Sequence, residues 1–280
     1  MESNWKKYCI SQIPKLKNIW KNEMKSELNL ENPKTITEKI QWLKIYDSTF
    51  LKTYCSDKIT VREYCKEKLG TDYFIPILGI YEKFEDIDFS KLPKDYVIKT
   101  NHGSHTNIIV RNGFIDKNIA KQKFEDWLSK DWTWWGLELA YKPIPRKIFI
   151  EQYMNDGHDE LIDYKFLCFN GEPKYCQVIS ERNKSSQHLN YYDMNFDACK
   201  DFSRIDFPAN YDIPDIKPNN WEKMKDFSKK LSKDFKFVRV DFYEIKEKLY
   251  ISELTFFPYA GFIKYKNPNT DKLLGDLLKL

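Results

Sequence analysis

The chain has 280 residues and a mass of 33.8 kDa, which allows one large or two modest hydrophobic cores. Its 46 basic and 42 acidic residues leave a formal net charge of +4, and this small, mixed excess does not indicate a nucleic-acid-binding stripe. Six cysteines without a C-x-x-C pair, and no apolar run near the roughly 18 residues of a membrane span, predict a folded cytoplasmic protein with no transmembrane segment.

The first region, residues 1–74, is predicted to be helical. The stretch 13–30 is rich in lysine and has apolar residues at helical spacing, and 37–46 repeats that spacing. A third helix is predicted over 57–70, with Asp57 as its N-cap and a glycine at its end.

Lys58 stands at the start of this third predicted helix. A lysine in a first helical turn opposes the helix dipole, so a phosphate bound at the same N-terminus would give its ammonium group a partner. The alternative is a solvated lysine, and the residues alone leave both interpretations open.

A candidate phosphate loop lies between two β-rich runs in 96–110. The first run ends near Lys99, and the turn after it contains Gly103 and Ser104. A strand, a small loop and a returning strand can lay backbone N–H groups and one ammonium along phosphates. The loop lacks the G-x-x-x-x-G-K-[ST] sequence of a Walker A motif. His102 and the histidine three residues later have no third ligand nearby, which argues against zinc and favours a role in shaping the loop.

The middle of the chain predicts a helix and further strands. The helix covers 116–136, and a strand over 147–154 leads into a turn at 155–158. The pair Asn170-Gly171 between two β-rich runs is the strongest hairpin signal in the chain.

A second hairpin, over 237–258, carries one carboxylate on each strand, Asp241 and Glu253. The alternation of side chains puts Arg239 and Asp241 on the same face and brings the two carboxylates almost opposite each other. Facing carboxylates repel unless a cation lies between them, and Mg²⁺ that also binds nucleotide phosphates would supply that cation. The alternative is an edge hairpin with solvated acids.

Taken in this order, the segments resemble the TupA-like group of the ATP-grasp superfamily, which is named for teichuronopeptide synthesis and found among bacterial surface-polysaccharide genes. The resemblance covers most of the chain, and it rests on many short segments in order. These segments are 38–47, 57–64, 97–103, 163–173, 238–241, 253–261 and 274–278.

The resemblance implies an α+β protein with the ATP-grasp fold, in which two α+β subdomains clasp ATP next to a helical N-terminal segment. The expected division is a helical region over 1–74, a small subdomain with the phosphate loop over 75–147, and a large subdomain with the metal site over 148–280. The N-terminal segment is too short for the Rossmann-like domain of many relatives, so the acceptor pocket cannot be transferred by analogy.

The resemblance also implies ATP and Mg²⁺ as cofactors and assigns nucleotide contacts. The two lysines and the loop would contact phosphates. The end of the strand predicted over 147–154 would read adenine through Glu151 and the backbone of Gln152 and Met154, and an aspartate would bind the ribose. These residues are Lys58, Lys99, His102, Gly103, Ser104, Glu151, Gln152, Met154 and Asp163.

Metal and catalytic roles fall on the second hairpin. Asp241 and Glu253 match the metal carboxylates, and Arg239 together with Lys99 is expected near the transferred phosphoryl group. Thr255 stands where many ATP-grasp ligases have asparagine; its hydroxyl can still bind near Mg²⁺, and whether one or two ions bind is left open.

The implied activity is ADP-forming ligation of a small-molecule carboxylate to an amine through an acyl phosphate. Family context favours a uronic acid or another sugar carboxylate, free or linked to a nucleotide or a lipid, in capsule or O-antigen synthesis. Arg182 is a candidate carboxylate clamp, with an ordinary surface arginine as the alternative. A sugar or polyol kinase, a glycosyltransferase and a non-catalytic component of polysaccharide assembly remain open, because a fold does not determine a function.

Overall fold

The computed structural model describes residues 2–155, 161–182 and 184–280. All but the first residue of the turn predicted at 155–158 lies outside the described residues. No helix in the described ranges combines the length and the apolar character that crossing a bilayer requires.

Five helices precede the first strand, as the N-terminal sequence predicts. They are α1 (Glu2–Ser11), α2 (Ile13–Met24), α3 (Ile36–Tyr46), α4 (Phe50–Ser56) and α5 (Val61–Leu69). Helix α3 begins at a capping box, in which the Thr35 hydroxyl accepts from the Glu38 amide and the Glu38 carboxylate accepts from the Thr35 amide.

The predicted N-cap at Asp57 is wrong. Asp57 is the C-cap residue of α4, and its carboxylate accepts a hydrogen bond from the Ile59 amide at 2.8 Å in a tight turn. Helix α5 therefore begins at Val61, three residues after Lys58, and Gly70, whose φ of 80° suits glycine, is its C-cap. Lys58 lies in the turn between the two helices, outside any first helical turn.

A four-stranded antiparallel sheet follows, with the order β1-β4-β2-β3. Its strands are β1 (Ile77–Tyr81), β2 (Tyr96–Thr100), β3 (Asn107–Val110) and β4 (Ile148–Gln152). Between β3 and β4, the helix predicted over 116–136 is divided into α6 (Lys117–Ser129) and α7 (Thr133–Gly136). The expected boundary between residues 147 and 148 would assign β4 to the large subdomain. In the structure, β4 pairs with β1 and β2 in this first sheet.

A five-stranded antiparallel sheet forms the second half, with the order β7-β6-β5-β8-β9. Its strands are β5 (Asp163–Phe169), β6 (Glu172–Ser180), β7 (His188–Asp193), β8 (Phe237–Ile245) and β9 (Lys248–Thr255), and the helices of this half are α8 (Trp221–Ser232) and α9 (Pro268–Leu277). The predicted β5–β6 hairpin is confirmed, with positive φ angles of 49° at Asn170 and 85° at Gly171.

Helices α3 to α5 and the five-stranded sheet share one hydrophobic core. Ile40 and Leu43 of α3 and Val61 of α5 belong to the same buried cluster as Phe166 of β5 and Val240 of β8. The four-stranded sheet has a separate core against α6. Helices α3 and α5 therefore belong to the core of the second sheet, whereas α1 and α2 pack in a third cluster.

Candidate functional site

A row of polar side chains crosses the five-stranded sheet, one from each strand. Asp241 of β8 lies opposite Glu253 of β9, as the alternation predicts, and opposite Lys165 of β5 on its other side. The row continues through Gln177 of β6 to Tyr191 of β7. Because paired residues of neighbouring strands point to the same face, these five side chains share one face of the sheet.

Asp241 is completely buried and is held by two cations. Arg239 donates to both carboxylate oxygens, each at 2.7 Å, and the Lys165 ammonium lies 2.5 Å from Oδ2. Burial raises the pKa of the Asp241 carboxyl, while Arg239 and Lys165 act in the opposite direction. The charges of Asp241 and Glu253 outweigh burial at Arg239 and raise its pKa, so the arginine stays protonated.

Glu253 is the more accessible carboxylate of the pair, with 32% of its side chain exposed. Its Oε1 lies 3.3 Å from Arg239 and accepts from the Thr255 hydroxyl at 3.2 Å, and its Oε2 lies 3.9 Å from the Lys58 ammonium. Burial alone would raise the pKa of Glu253, but Lys58, Lys165 and Arg239 lower it to about 2. Glu253 is therefore ionised at neutral pH.

The donor set of this hairpin suits one magnesium ion that also binds phosphate. Glu253 offers an accessible carboxylate, and the Thr255 oxygen lies beside it, where it also accepts from Arg239 at 3.1 Å. Mg²⁺ takes one or two carboxylates together with phosphate oxygens and waters, which this set can satisfy. Asp241 would have to exchange a contact with Arg239 or Lys165 to join it. No group of three or more His, Cys, Asp or Glu side chains within the described ranges is arranged as a metal site.

Lys58 connects the phosphate loop to this hairpin. Its backbone amide donates to the Asn101 carbonyl at 3.1 Å, and its ammonium donates to the Gly103 carbonyl at 2.8 Å. The ammonium is also the group that approaches Glu253. The predicted helix position of Lys58 is wrong, yet the turn it occupies brings it to the loop that the sequence singled out.

The loop itself is tightly packed at one end and exposed at the other. A Cβ added at Gly103 would lie 2.7 Å from the Thr106 hydroxyl, so the loop requires glycine there. His102 is buried, and among the described residues neither ring nitrogen has a hydrogen-bond partner. Burial lowers the pKa of His102 to about 4, which keeps the imidazole neutral. Ser104 is exposed.

Glu151, predicted to read adenine, lies between two cations. Its buried carboxylate accepts from Arg62 of α5 through one oxygen and from Lys99 of β2 through the other. The Gln152 amide donates to the Pro76 carbonyl at 3.0 Å. Met154 follows β4 and is half-buried. The adenine role of this segment stays a prediction.

Arg62 is a residue of this network that sequence reasoning missed. It also donates to the Ile75 carbonyl at 2.7 Å, so it ties α5 to the start of the first sheet. Arg62 is buried next to Val61 and Cys65, on the apolar side of α5. An arginine on the apolar side of an amphipathic helix indicates a buried cation with a partner, and this signal could have identified Arg62 from the sequence.

Asp163 and Arg182 are partners of each other. The Arg182 Nε donates to Asp163 Oδ2 at 2.5 Å, and Lys165 lies 2.9 Å from Asp163 Oδ1. Arg182 is thus neither a free surface arginine nor an open clamp, and the ribose role of Asp163 stays a prediction.

Lys165 is the second missed residue, and it lies at the centre of the cluster. It contacts Asp163 and Asp241, and those two carboxylates raise its pKa against the effect of burial. The pattern Asp163-Tyr-Lys165 on a strand places both charged groups on one face, so alternation alone could have identified it.

Comparison with known proteins gives one family. A family model described as TupA-like ATPgrasp matches residues 38–279. No match is found among curated proteins. The family match and the two antiparallel sheets with their helices together confirm the predicted α+β class and ATP-grasp fold.

Several solved structures are similar at low identity. The D-alanine--D-alanine ligase of Bacillus anthracis is 19% identical over 72% of this chain and 57% of its own, with a TM-score of 0.42. The ligase of that name from Helicobacter pylori is 13% identical over 80% and 59%, with a TM-score of 0.44. A biotin carboxylase from Campylobacter jejuni is 11% identical over 78% and 41%, with a TM-score of 0.45. The chain thus spans less than two thirds of the length of each.

Proposed function

We propose, since the chain belongs to the TupA-like ATP-grasp family, that it is an ATP-dependent, ADP-forming carboxylate-amine ligase. The observation that supports this proposal is the convergence of Lys58, Lys165 and Arg239 on the Asp241 and Glu253 pair. Phosphoryl transfer requires mainly positioning and neutralisation of negative charge, and this cluster provides fixed cations beside two carboxylates.

In the proposed reaction, a carboxylate oxygen of the substrate attacks the γ-phosphorus of ATP and ADP leaves. An amine then attacks the acyl carbon, phosphate leaves, and the amide nitrogen loses a proton to solvent. Mg²⁺, held by Glu253, Thr255 and Asp241, would neutralise phosphate oxygens. Arg239 would face the transferred phosphoryl group, and Lys99 would be released from Glu151 to reach the phosphates.

Water would compete with the amine for the acyl phosphate, so the site needs a cover. The loop with His102, Gly103 and Ser104 would lie over the phosphates, and Lys58 holds that loop through the Gly103 carbonyl. Gln152 and Met154 would contact adenine and Asp163 the ribose. Arg182 would have to leave Asp163 before it could bind the substrate carboxylate.

The proposed acceptor is a uronic acid or another sugar carboxylate, free or attached to a nucleotide or a lipid, and the setting is capsule or O-antigen synthesis. This substrate class rests on the family alone. Its test is ADP release with ATP, Mg²⁺ and a panel of uronates, each with and without ammonia or an amino acid. ADP that depends on both partners supports the ligase. ATP binding without ADP from any pair would refute it.

The same assay separates the alternatives. A sugar or polyol kinase would release ADP with an alcohol and no amine, and the product would be a phosphate ester. A glycosyltransferase would turn over a nucleotide sugar without ATP. A non-catalytic protein would keep its function after Lys99→Ala, whereas the proposed ligase would lose it.

A further inference from the structure

The positive charge of this chain is concentrated in its first two helices. The formal charge of the whole chain is +4, a small excess over 42 acidic residues. Residues 2–25 contain six lysines and two glutamates, so this segment alone carries +4 and residues 26–280 are neutral. We call these lysines the N-terminal basic patch: Lys6, Lys7, Lys15, Lys17, Lys21 and Lys25.

All six lysines of the patch are exposed. Lys21 forms an ion pair with Glu27 at 2.8 Å, and Glu27 also lies near Lys17. The other five have no carboxylate partner within the part of the chain whose side chains the structure describes. Elsewhere in the chain basic and acidic residues balance in number, and lysines such as Lys121, Lys130 and Lys272 are paired with acids, so the patch differs in carrying a local excess of positive charge.

Exposed apolar side chains lie beside the patch. Lys15 lies 3.6 Å from the centroid of the Trp134 ring, and the next residue, Trp135, is 74% exposed. On α1, Ile10 is 41% exposed and is one helical turn from Lys6. Tryptophan and lysine together, at a surface, are typical of segments that lie at a membrane interface.

We propose that the N-terminal basic patch docks the protein on an anionic phospholipid surface. The apolar sides of both helices are buried in the protein through Cys9, Leu16 and Trp20, so contact would be made by the lysines, Ile10 and Trp135 without insertion of a helix. Residues 1–61 contain no arginine. A site for one defined phosphate or carboxylate would favour the bidentate fork of arginine, whereas lysines suit the diffuse charge of a lipid surface.

The test is co-sedimentation of the full chain with vesicles of phosphatidylcholine alone or mixed with phosphatidylglycerol. Binding is expected only to the mixed vesicles, and it should fall between about 50 mM and about 500 mM NaCl because salt screens surface charge. Lysines near an anionic surface contribute roughly fivefold each to partitioning, so the triple variant Lys6→Gln, Lys7→Gln, Lys17→Gln should bind at least about tenfold more weakly.

A matched triple variant controls for total charge. Lys123→Gln, Lys174→Gln and Lys248→Gln remove three exposed lysines outside the patch and should leave vesicle binding unchanged. Trp135→Ala should weaken binding without changing its salt dependence. All variants replace exposed side chains, so equal thermal midpoints verify that each is folded.

Equal losses in the two triple variants would overturn the proposal, because binding would then follow net charge alone. Binding to soluble polygalacturonate but not to vesicles would also overturn it, in favour of an acidic polysaccharide. Neither readout involves ATP, so the outcome is independent of the proposed ligase activity.

Discussion

Replacing Lys165 by methionine tests whether the charged cluster is a balanced unit. Lys58, Lys165, Arg182 and Arg239 surround Asp163, Asp241 and Glu253, and Lys165 is the cation that the two buried carboxylates, Asp163 and Asp241, share. Methionine keeps the length of the side chain and removes its charge. Asp163 and Asp241 would then stay buried, and each would have lost one of its charged partners.

Breaking a buried ion pair by removing one partner costs about 3–5 kcal/mol. For a chain of this size each kcal/mol lowers the thermal midpoint by roughly 2–4 °C, so a decrease on the order of 10 °C is expected. Differential scanning calorimetry measures it. The matched control is Lys174→Met, since Lys174 is exposed on β6, and its midpoint should change by no more than about 2 °C.

The loss should depend on pH with a defined sign. Burial raises the pKa of Asp241, and removing Lys165 removes one of the two charges that oppose burial. When the pKa of a carboxyl is higher in the folded than in the unfolded state, the protein loses stability as pH rises from the unfolded pKa through the folded pKa. The deficit of Lys165→Met should therefore be smaller near pH 5 than near pH 8. A deficit below about 1 kcal/mol, or one that grows toward low pH, would refute the balanced-cluster interpretation.

Three further predictions concern single positions. Glu253→Gln should abolish ADP formation. Because the pKa of Glu253 falls from 4.5 to about 2 on folding, the difference in unfolding free energy between this variant and the unaltered protein should shrink as pH falls from 5 toward 2. A difference that stays constant over this range would contradict the prediction. Arg62→Gln should lower the free energy of unfolding by roughly 2–3 kcal/mol and weaken ATP binding in calorimetric titration, because Glu151 would then be paired with Lys99 alone. Arg62→Lys should recover part of both losses. Equal effects of the two variants would argue against a role for the charge. Gly275→Ala should lower the thermal midpoint although alanine favours helix, because the added Cβ would clash with the backbone carbonyl oxygen of Lys34. An unchanged or higher midpoint would show that α9 can shift.

Local patterns predicted much of this fold. The β8–β9 hairpin follows from side-chain alternation, and its register places Asp241 opposite Glu253 as that alternation requires. The β5–β6 turn follows from Asn170-Gly171, because both residues tolerate positive φ. These features depend on residues close together in the chain, where periodicity and turn chemistry act directly.

The missed features depend on distant partners. Lys165 meets Asp241 from 76 positions away, and Arg62 meets Glu151 from 89. No local sequence pattern indicates which carboxylate a buried cation will contact. The position of β4 in the first sheet likewise depends on long-range strand pairing. The start of α5 was misplaced for a local reason, since the Asp57 side chain closes a turn and does not cap a helix.

The core shared by α3, α5 and the five-stranded sheet sets a limit on dividing this protein into pieces. A shortened chain that starts at residue 75 would keep every described strand but would remove Ile40, Leu43 and Val61 from the hydrophobic core that also contains Phe166 and Val240. It would also lose Lys58, which bridges the loop of one sheet and the carboxylate hairpin of the other. In protein dissection or domain grafting, the helices and both sheets therefore have to be transferred together.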